Sequence, residues 1–220
     1  MHHIQHYILN VLAATKWARF RDMRPPKVDS NVYSYHLKLL MKQGLIEKHE
    51  SNGYQLSPRG MTQVDRMSAN ELRLRLQPKI VTMIIVYNEQ GKVLLLAKKK
   101  QPFIGAWTFP SGKFHIEDGN PRTSATRELM ERIAVEPNPT LNHIADIYLY
   151  SSIGTELVSA ILAHVLTITI RSDEVTRQDV AWTDETDRAA LQLAPGVEEI
   201  CTLAKNTKEK FTYAEYVLNS

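Results

Sequence analysis

The sequence predicts an α+β protein in two units, and three observations carry that prediction. Charge is unevenly placed along the chain. Over 220 residues, 27 Lys+Arg stand against 24 Asp+Glu, a net of +3. Residues 1–78 hold 12 Lys+Arg and 6 Asp+Glu, a net of +6, while residues 79–220 hold 15 and 18, a net of −3. Such asymmetry between halves marks two units and makes the basic one a candidate for binding a polyanion. The first half then reads as two amphipathic helices followed by a hairpin. The second opens on Ile/Val-rich runs and continues into a glycine-containing loop and a carboxylate-bearing helix.

In the first unit, Ile4, Tyr7, Ile8, Val11 and Leu12 recur at helical spacing and predict a helix over 4–14. Arg19, Arg21 and Arg24 follow, and Pro25-Pro26 bars a helix there. Asp29-Ser30 supplies N-cap chemistry for a second helix over about 31–42, with Tyr33, Leu37, Leu40 and Met41 on its apolar side. Gly44 suits its C-terminal end. Residues 45–48 and 54–57 read as short strands, and Asn52-Gly53 between them is a favoured hairpin dipeptide. Residues 62–78 read as a polar helix with Val64, Met67 and Leu72 or Leu74 along one side, closed by Pro78. The domain boundary is placed there, giving units 1–78 and 79–220. His2, His3 and His6 form a tract too short and local for a defined metal site.

The order helix, glycine, hairpin in residues 35–48 and 53–60 resembles winged helix-turn-helix transcription regulators, over about residues 3–68. The resemblance implies that the helix before the hairpin is a recognition helix. Asn31, Ser34, Tyr35 and Lys38 lie off its apolar side, where they face a major groove. Arg21, Arg24 and Lys48, with Arg19, suit phosphates, which position a protein without reading sequence. Winged helices also serve as protein-interaction modules; the +6 charge favours DNA.

In the second unit, residues 80–86 read as a buried strand, 88–91 as a turn and 93–97 as a second strand, with Lys98-Lys99-Lys100 as a solvated loop. Residues 105–113 (GAWTFPSGK) and 124–135 (SATRELMERIAV) then resemble the Nudix signature G-x5-E-x7-R-E-U-x-E-E-x-G-U, where U is apolar. Trp107, Pro110 and Gly112 keep the lead-in; Arg127, Glu128, Leu129, Glu131 and Val135 keep the helical half. VAWTDE (180–185) and LAPGVEEI (193–200) resemble the late strand and C-terminal helix of that fold. The resemblance covers about residues 80–205 and implies an α/β/α sandwich on a mixed sheet.

It also implies chemistry. Nudix enzymes hydrolyse a pyrophosphate bound to Mg²⁺ or Mn²⁺, hard cations that take oxygen ligands. By position, Gly112, Asp118, Glu128 and Glu131 are the metal-site residues, Glu128 and Arg127 the catalytic pair, with Arg127 holding a carboxylate in orientation. Trp107 and Lys113 are candidates for substrate contact, and Tyr148 and Tyr150 for stacking a base or for the core. Asn120 and Pro121 suit a helix start.

The departures bear on activity. Asp118 stands in place of the loop Glu, eight residues rather than seven separate it from Arg127, and Ala134 replaces the final Gly. Arg132 replaces the second paired glutamate, a swing of two charges beside a divalent cation. Metal affinity falls accordingly, even with Arg132 swung outward. Glu174 and Asp179, before Trp182, are candidate replacement ligands.

Three readings follow: a regulator whose Nudix-like domain binds a nucleotide or phosphorylated metabolite such as ADP-ribose, an Mg²⁺-dependent pyrophosphohydrolase, and a pair of interaction modules. The basic first half and Arg132 favour the first, with DNA and a nucleotide-like small molecule as partners and a homodimer expected. With no run of about 18 apolar residues there is no membrane span. The start MHHIQHYILN lacks signal-peptide order, and a single Cys201 excludes an internal disulfide framework. The expected setting is cytoplasmic.

Overall fold

A computed structural model describes residues 1–49, 53–66, 77–136, 141–206 and 211–219. The chain divides into two compact units, Met1–Leu76 and Gln77–Ser220.

The first unit runs α1 (His3–Ala14), α2 (Ser30–Lys42), β1 (Ile46–His49), β2 (Gly53–Leu56) and α3 (Pro58–Asp65), a winged-helix order. His2 caps α1: its ring accepts from the Ile4 N–H, and the Gln5 side chain accepts from the His2 N–H. The buried side of α1 is Ile4, Ile8, Leu9 and Leu12, whereas Tyr7 is exposed and Val11 half-buried. The apolar stripe is thus turned by about one residue from the expected one, because Leu9 and Gln5 face inward. Asp29 caps α2 through the Asn31 N–H at 2.7 Å.

Tyr33, Leu37 and Leu40 of α2 lie in the core with Met23, Leu45 and Ile46. The Tyr33 hydroxyl donates to the Phe20 carbonyl at 2.8 Å, so this buried phenol is satisfied. β1 and β2 pair antiparallel from Ile46↔Leu56 to His49↔Gly53; Asn52 of the expected turn lies outside the described residues. Ala18 adds a bridge to Tyr54, a third strand position on the wing. Gly60 packs so closely on the Leu45 carbonyl that a Cβ there would sit 1.9 Å from its oxygen. Of the polar helix expected over 62–78, residues 67–76 lie outside the described residues; its start falls within α3, which begins earlier behind a Ser57 cap. Met67, Leu72 and Leu74 lie outside the described residues.

The second unit is a sandwich around one eight-stranded mixed sheet. Its strands are β3 (Lys79–Tyr87), β4 (Val93–Ala97), β5 (Trp107–Thr108), β6 (Ser111–Lys113), β7 (Asn142–Ile153), β8 (Glu156–Thr169), β9 (Val180–Thr183) and β10 (Thr212–Asn219). The order is β10-β7-β8-β3-β4-β5, with β6 on β3 and β9 on β4. β3 runs parallel to β8 and β10 parallel to β7; the other pairs are antiparallel.

Strand alternation splits β3 between two cores. Ile84 and Val86 pack with Ala125, Leu129 and Ile133 of α4 (Pro121–Ile133). Ile85 packs with Phe109, Ala145, Ile147 and Val165, and with Val197, Ile200 and Cys201 of α6 (Val197–Asn206). A short α5 (Glu185–Ala189) follows β9. Asn120 starts α4 by accepting from the Arg122 and Thr123 N–H groups at 3.0 Å, with Pro121 as first residue. α4 ends on Ala134 in the left-handed region at φ 57°.

Candidate functional site

The loop β6–α4 and the first turns of α4 bring the box residues together around Arg127. Its Nε and Nη2 donate to the two Asp118 oxygens at 2.9 and 2.8 Å, a bidentate pair. Nη1 donates to Glu128 Oε1 at 2.6 Å and touches Glu131 Oε1 at 3.4 Å. Nη2 also reaches the Lys113 carbonyl at 3.0 Å, tying the helix to β6. Asp118 closes the 3-10 turn Ile116–Asp118 by accepting from the His115 N–H at 2.8 Å. The Arg127 guanidinium holds the Asp118 carboxyl well below its ordinary range, and Asp118 in turn raises Arg127.

Glu128 is 2% exposed and sits against Gly112. A Cβ on Gly112 would fall 1.8 Å from Glu128 Oε1. The glycine therefore makes room for a carboxylate, where the resemblance implies room for a metal. Arg132 does not swing outward: its Nε donates to Glu128 Oε2 at 3.1 Å, one helical turn away. Both oxygens of the buried glutamate are thus held by guanidinium groups.

As these donors are paired, they leave Mg²⁺ a single free carboxylate among the box residues. That ion needs near-octahedral oxygen ligands, usually with one or two carboxylates. Asp118 is spent on Arg127, Glu128 is spent on Arg127 and Arg132, and only Glu131 presents an exposed carboxylate. The candidate replacements add nothing. Glu174 caps its own short turn by accepting from the Arg171 N–H at 2.9 Å. Asp179 pairs with Arg177 and with Lys99 at 2.7 Å, which hold its carboxyl below the ordinary range.

A cleft of about 320 Å³ opens beside the box, lined by Lys79, Lys98, Lys113 and Arg132 together with Phe103, Leu149, Ser151 and Ile161. Among the described residues, no carboxylate lines it. Burial, with the nearby charges of Lys79 and Arg132, pushes the Lys98 ammonium below its ordinary value. The lysine run at 98–100, expected as solvated loop, therefore contributes Lys98 to this wall and Lys99 to the ion pair with Asp179. Of the two candidates for substrate contact, Lys113 lines the cleft and Trp107 does not. The Trp107 backbone is held by Gln192 and Ala194, and its ring packs on the core. Phe103 supplies the aromatic wall, and no spacing in the sequence marks it. Tyr148 and Tyr150 alternate with the cleft residues Leu149 and Ser151, so they point to the other face, where their rings stack at 6.3 Å.

On the first unit, Asn31, Tyr35 and Lys38 of α2 form an exposed stripe, with Ser34 half-buried beside them. Tyr35 is 63% exposed. Arg24 and Lys48 are exposed, as is Arg21, which touches Asp22 at 3.4 Å.

A separate donor cluster, His143, Asp146 and His164, lies on β7 and β8 with its donor atoms within 4.8 Å of one another. Two imidazoles and a carboxylate at that spacing are consistent with a capacity for a divalent ion. Sequence reasoning missed it, because the residues are scattered and joined only by strand register. No helix among the described residues is long and apolar enough to cross a membrane.

No curated protein matches the sequence. Among solved structures, the Nudix domain of Shewanella oneidensis NrtR complexed with ADP ribose is 19% identical, covering 60% of this chain and 89% of that one, with a TM-score of 0.51. The MutT protein from Bacillus halodurans is 20% identical, covering 64% and 90%, with a TM-score of 0.50. At such identities the likeness is one of fold. The NUDIX domain family itself matches residues 77–209, more than half of the chain, and the protein belongs to that family.

Proposed function

We propose that the protein is a transcription regulator whose winged helix binds DNA and whose Nudix domain binds a nucleotide-like phosphorylated metabolite without hydrolysing it. The observation that carries this reading is Arg132. It takes the Glu128 oxygen that a metal needs, and it adds a positive charge to a cleft already holding Lys79, Lys98 and Lys113. A cation-lined cleft with an aromatic wall suits a diphosphate with an attached ring system. The NrtR Nudix domain, similar in fold, is complexed with ADP ribose, so that compound is the first ligand to test.

Mg²⁺ or Mn²⁺ binds the box weakly or not at all. Phosphate release from nucleoside diphosphate derivatives in excess Mg²⁺ is expected at background, while ADP-ribose binds by calorimetry. Turnover abolished by Glu128→Gln would overturn this reading in favour of a pyrophosphohydrolase. Arg132→Glu restores a carboxylate and frees Glu128, so a gain of Mg²⁺-dependent hydrolysis in that variant supports a site disabled by the arginine.

On the DNA side, the exposed stripe Asn31, Tyr35 and Lys38 of α2 meets bases, and Arg21, Arg24 and Lys48 meet phosphates. Binding to genomic fragments weakens with salt, and Arg21→Ala lowers the slope of log affinity against log salt by about 1. Salt-independent or absent binding excludes it. A homodimer presenting two α2 helices is the working assembly, read out by sedimentation.

A further inference from the structure

Asp146 and His164 face each other directly in the β7–β8 register. Opposed residues of an antiparallel pair share a face of the sheet. His143 stands three residues before Asp146, an odd spacing that puts two side chains on opposite faces of a regular strand. A register shift between His143 and Ala145 corrects the parity, because a bulge adds one residue and re-aims the side chain.

His143 Nε2 then lies 2.8 Å from Asp146 Oδ1, and His164 Nδ1 lies 2.6 Å from the same oxygen. Phe211 stands edge-on to His143 at 5.1 Å and Phe114 to His164 at 5.9 Å, walling the group on two sides. The three side chains are 23%, 28% and 17% exposed, so the cluster is open to water. Among the described residues, no lysine or arginine forms an ion pair with Asp146.

We propose that His143, Asp146 and His164 form a binding site for a divalent first-row transition ion, with water completing its coordination. Two imidazoles and a carboxylate are donors suited to Zn²⁺ rather than Mg²⁺. A tetrahedral ion with bonds of about 2.0–2.1 Å sets its donors about 3.3 Å apart, against 2.8 and 2.6 Å from the imidazoles to Asp146 and at most 4.8 Å across the group here. The site is distinct from the box. Gly112, Thr82, His164 and Asp146 lie in one register row across β6, β3, β8 and β7. At 4.7–4.9 Å per strand, the Asp146 Cα is about 14 Å from that of Gly112.

The test uses the full chain, stripped with chelator and titrated with Zn²⁺, with Co²⁺ as a spectroscopic substitute. One equivalent is expected to bind and to raise Tm, because the ion binds the folded state. His143→Ala and His164→Ala each lower Zn²⁺ affinity by at least about a hundredfold, since even loss of an outer partner costs 10–100-fold. Asp146→Asn keeps the size of the side chain, so its metal-free Tm stays near wild type while the Zn²⁺-induced rise disappears. If the histidine variants fail to fold, Asp146→Asn and the ligand-field spectrum of wild-type Co²⁺ protein decide. A wild-type chain that takes up no Zn²⁺ overturns the proposal. So does binding that survives all three substitutions, or that is lost instead with Glu131→Gln or His3→Ala.

Discussion

Arg127 carries more of the site than any other side chain, because it is the common partner of Asp118, Glu128 and Glu131. Two of those carboxylates are almost wholly buried, at 6% and 3% side-chain exposure. Removing one partner of a buried pair leaves an uncompensated charge, at a cost of about 3–5 kcal/mol. Arg127→Ala is therefore expected to lower unfolding free energy by that order in urea titrations at neutral pH. Loss under about 1 kcal/mol contradicts the burial. Asp118 also sets an acid limit. Its carboxyl is held below the ordinary value of 3.8, so its stabilisation is fully present above that value and is lost as pH falls through the depressed one. Asp118→Asn flattens stability against pH below about 4 and leaves the profile from 5 to 8 unchanged. Gly112→Ala drives a methyl into the Glu128 carboxylate, which two guanidinium groups hold in place. The expected cost is about 1–3 kcal/mol, read as a lowered urea midpoint.

At the scale of the element, α4 shows how the altered box is accommodated. Of the eight residues between Asp118 and Arg127, Gly119 at φ 70° and the Asn120 cap precede α4 and the other six are helical, and α4 still presents Arg127 and Glu128 to β6. The far end is less well matched. Ala134 adopts φ 57°, a left-handed conformation that costs a residue with a Cβ roughly 1–2 kcal/mol. Ala134→Gly relieves that strain, partly offset by the greater freedom of glycine in the unfolded chain. A net gain near 1 kcal/mol is expected, with Arg132 still on Glu128. A drop in Tm contradicts it.

At the scale of the whole molecule, each unit has its own core, and the regulator reading requires the two to be linked energetically. Coupling is reciprocal. If ADP-ribose alters DNA affinity by some factor, typically about 5–150-fold, DNA alters ADP-ribose affinity by the same factor. Measuring both legs by calorimetry and fluorescence anisotropy checks this. Two ligands that bind without influencing each other reduce the protein to a tandem of independent modules.

What the sequence determined by itself was local or strictly spaced. Helical periodicity, the Asp29 and Asn120 caps and the Val93–Ala97 strand follow from neighbours a few residues apart. The box announces itself by fixed intervals along one loop and helix, and so did its departures. Three things were decided only in the folded chain. Arg132 turned onto Glu128 instead of outward, because a buried carboxylate with one oxygen left is the strongest partner within one helical turn. Trp107 and Phe103 both pack against the core, and of the two only Phe103 lines the cleft, a placement that depends on how the loop folds over the sheet. His143, Asp146 and His164 met through a β-bulge and a cross-strand register, which depend on pairing between strands and leave no fixed spacing in the chain. The charge asymmetry visible at the outset acquires its meaning the same way. The net −3 of residues 79–220 conceals a cleft that no carboxylate lines among the described residues, since Asp118, Glu128 and Asp179 near it are held by Arg127, Arg132 and Arg177.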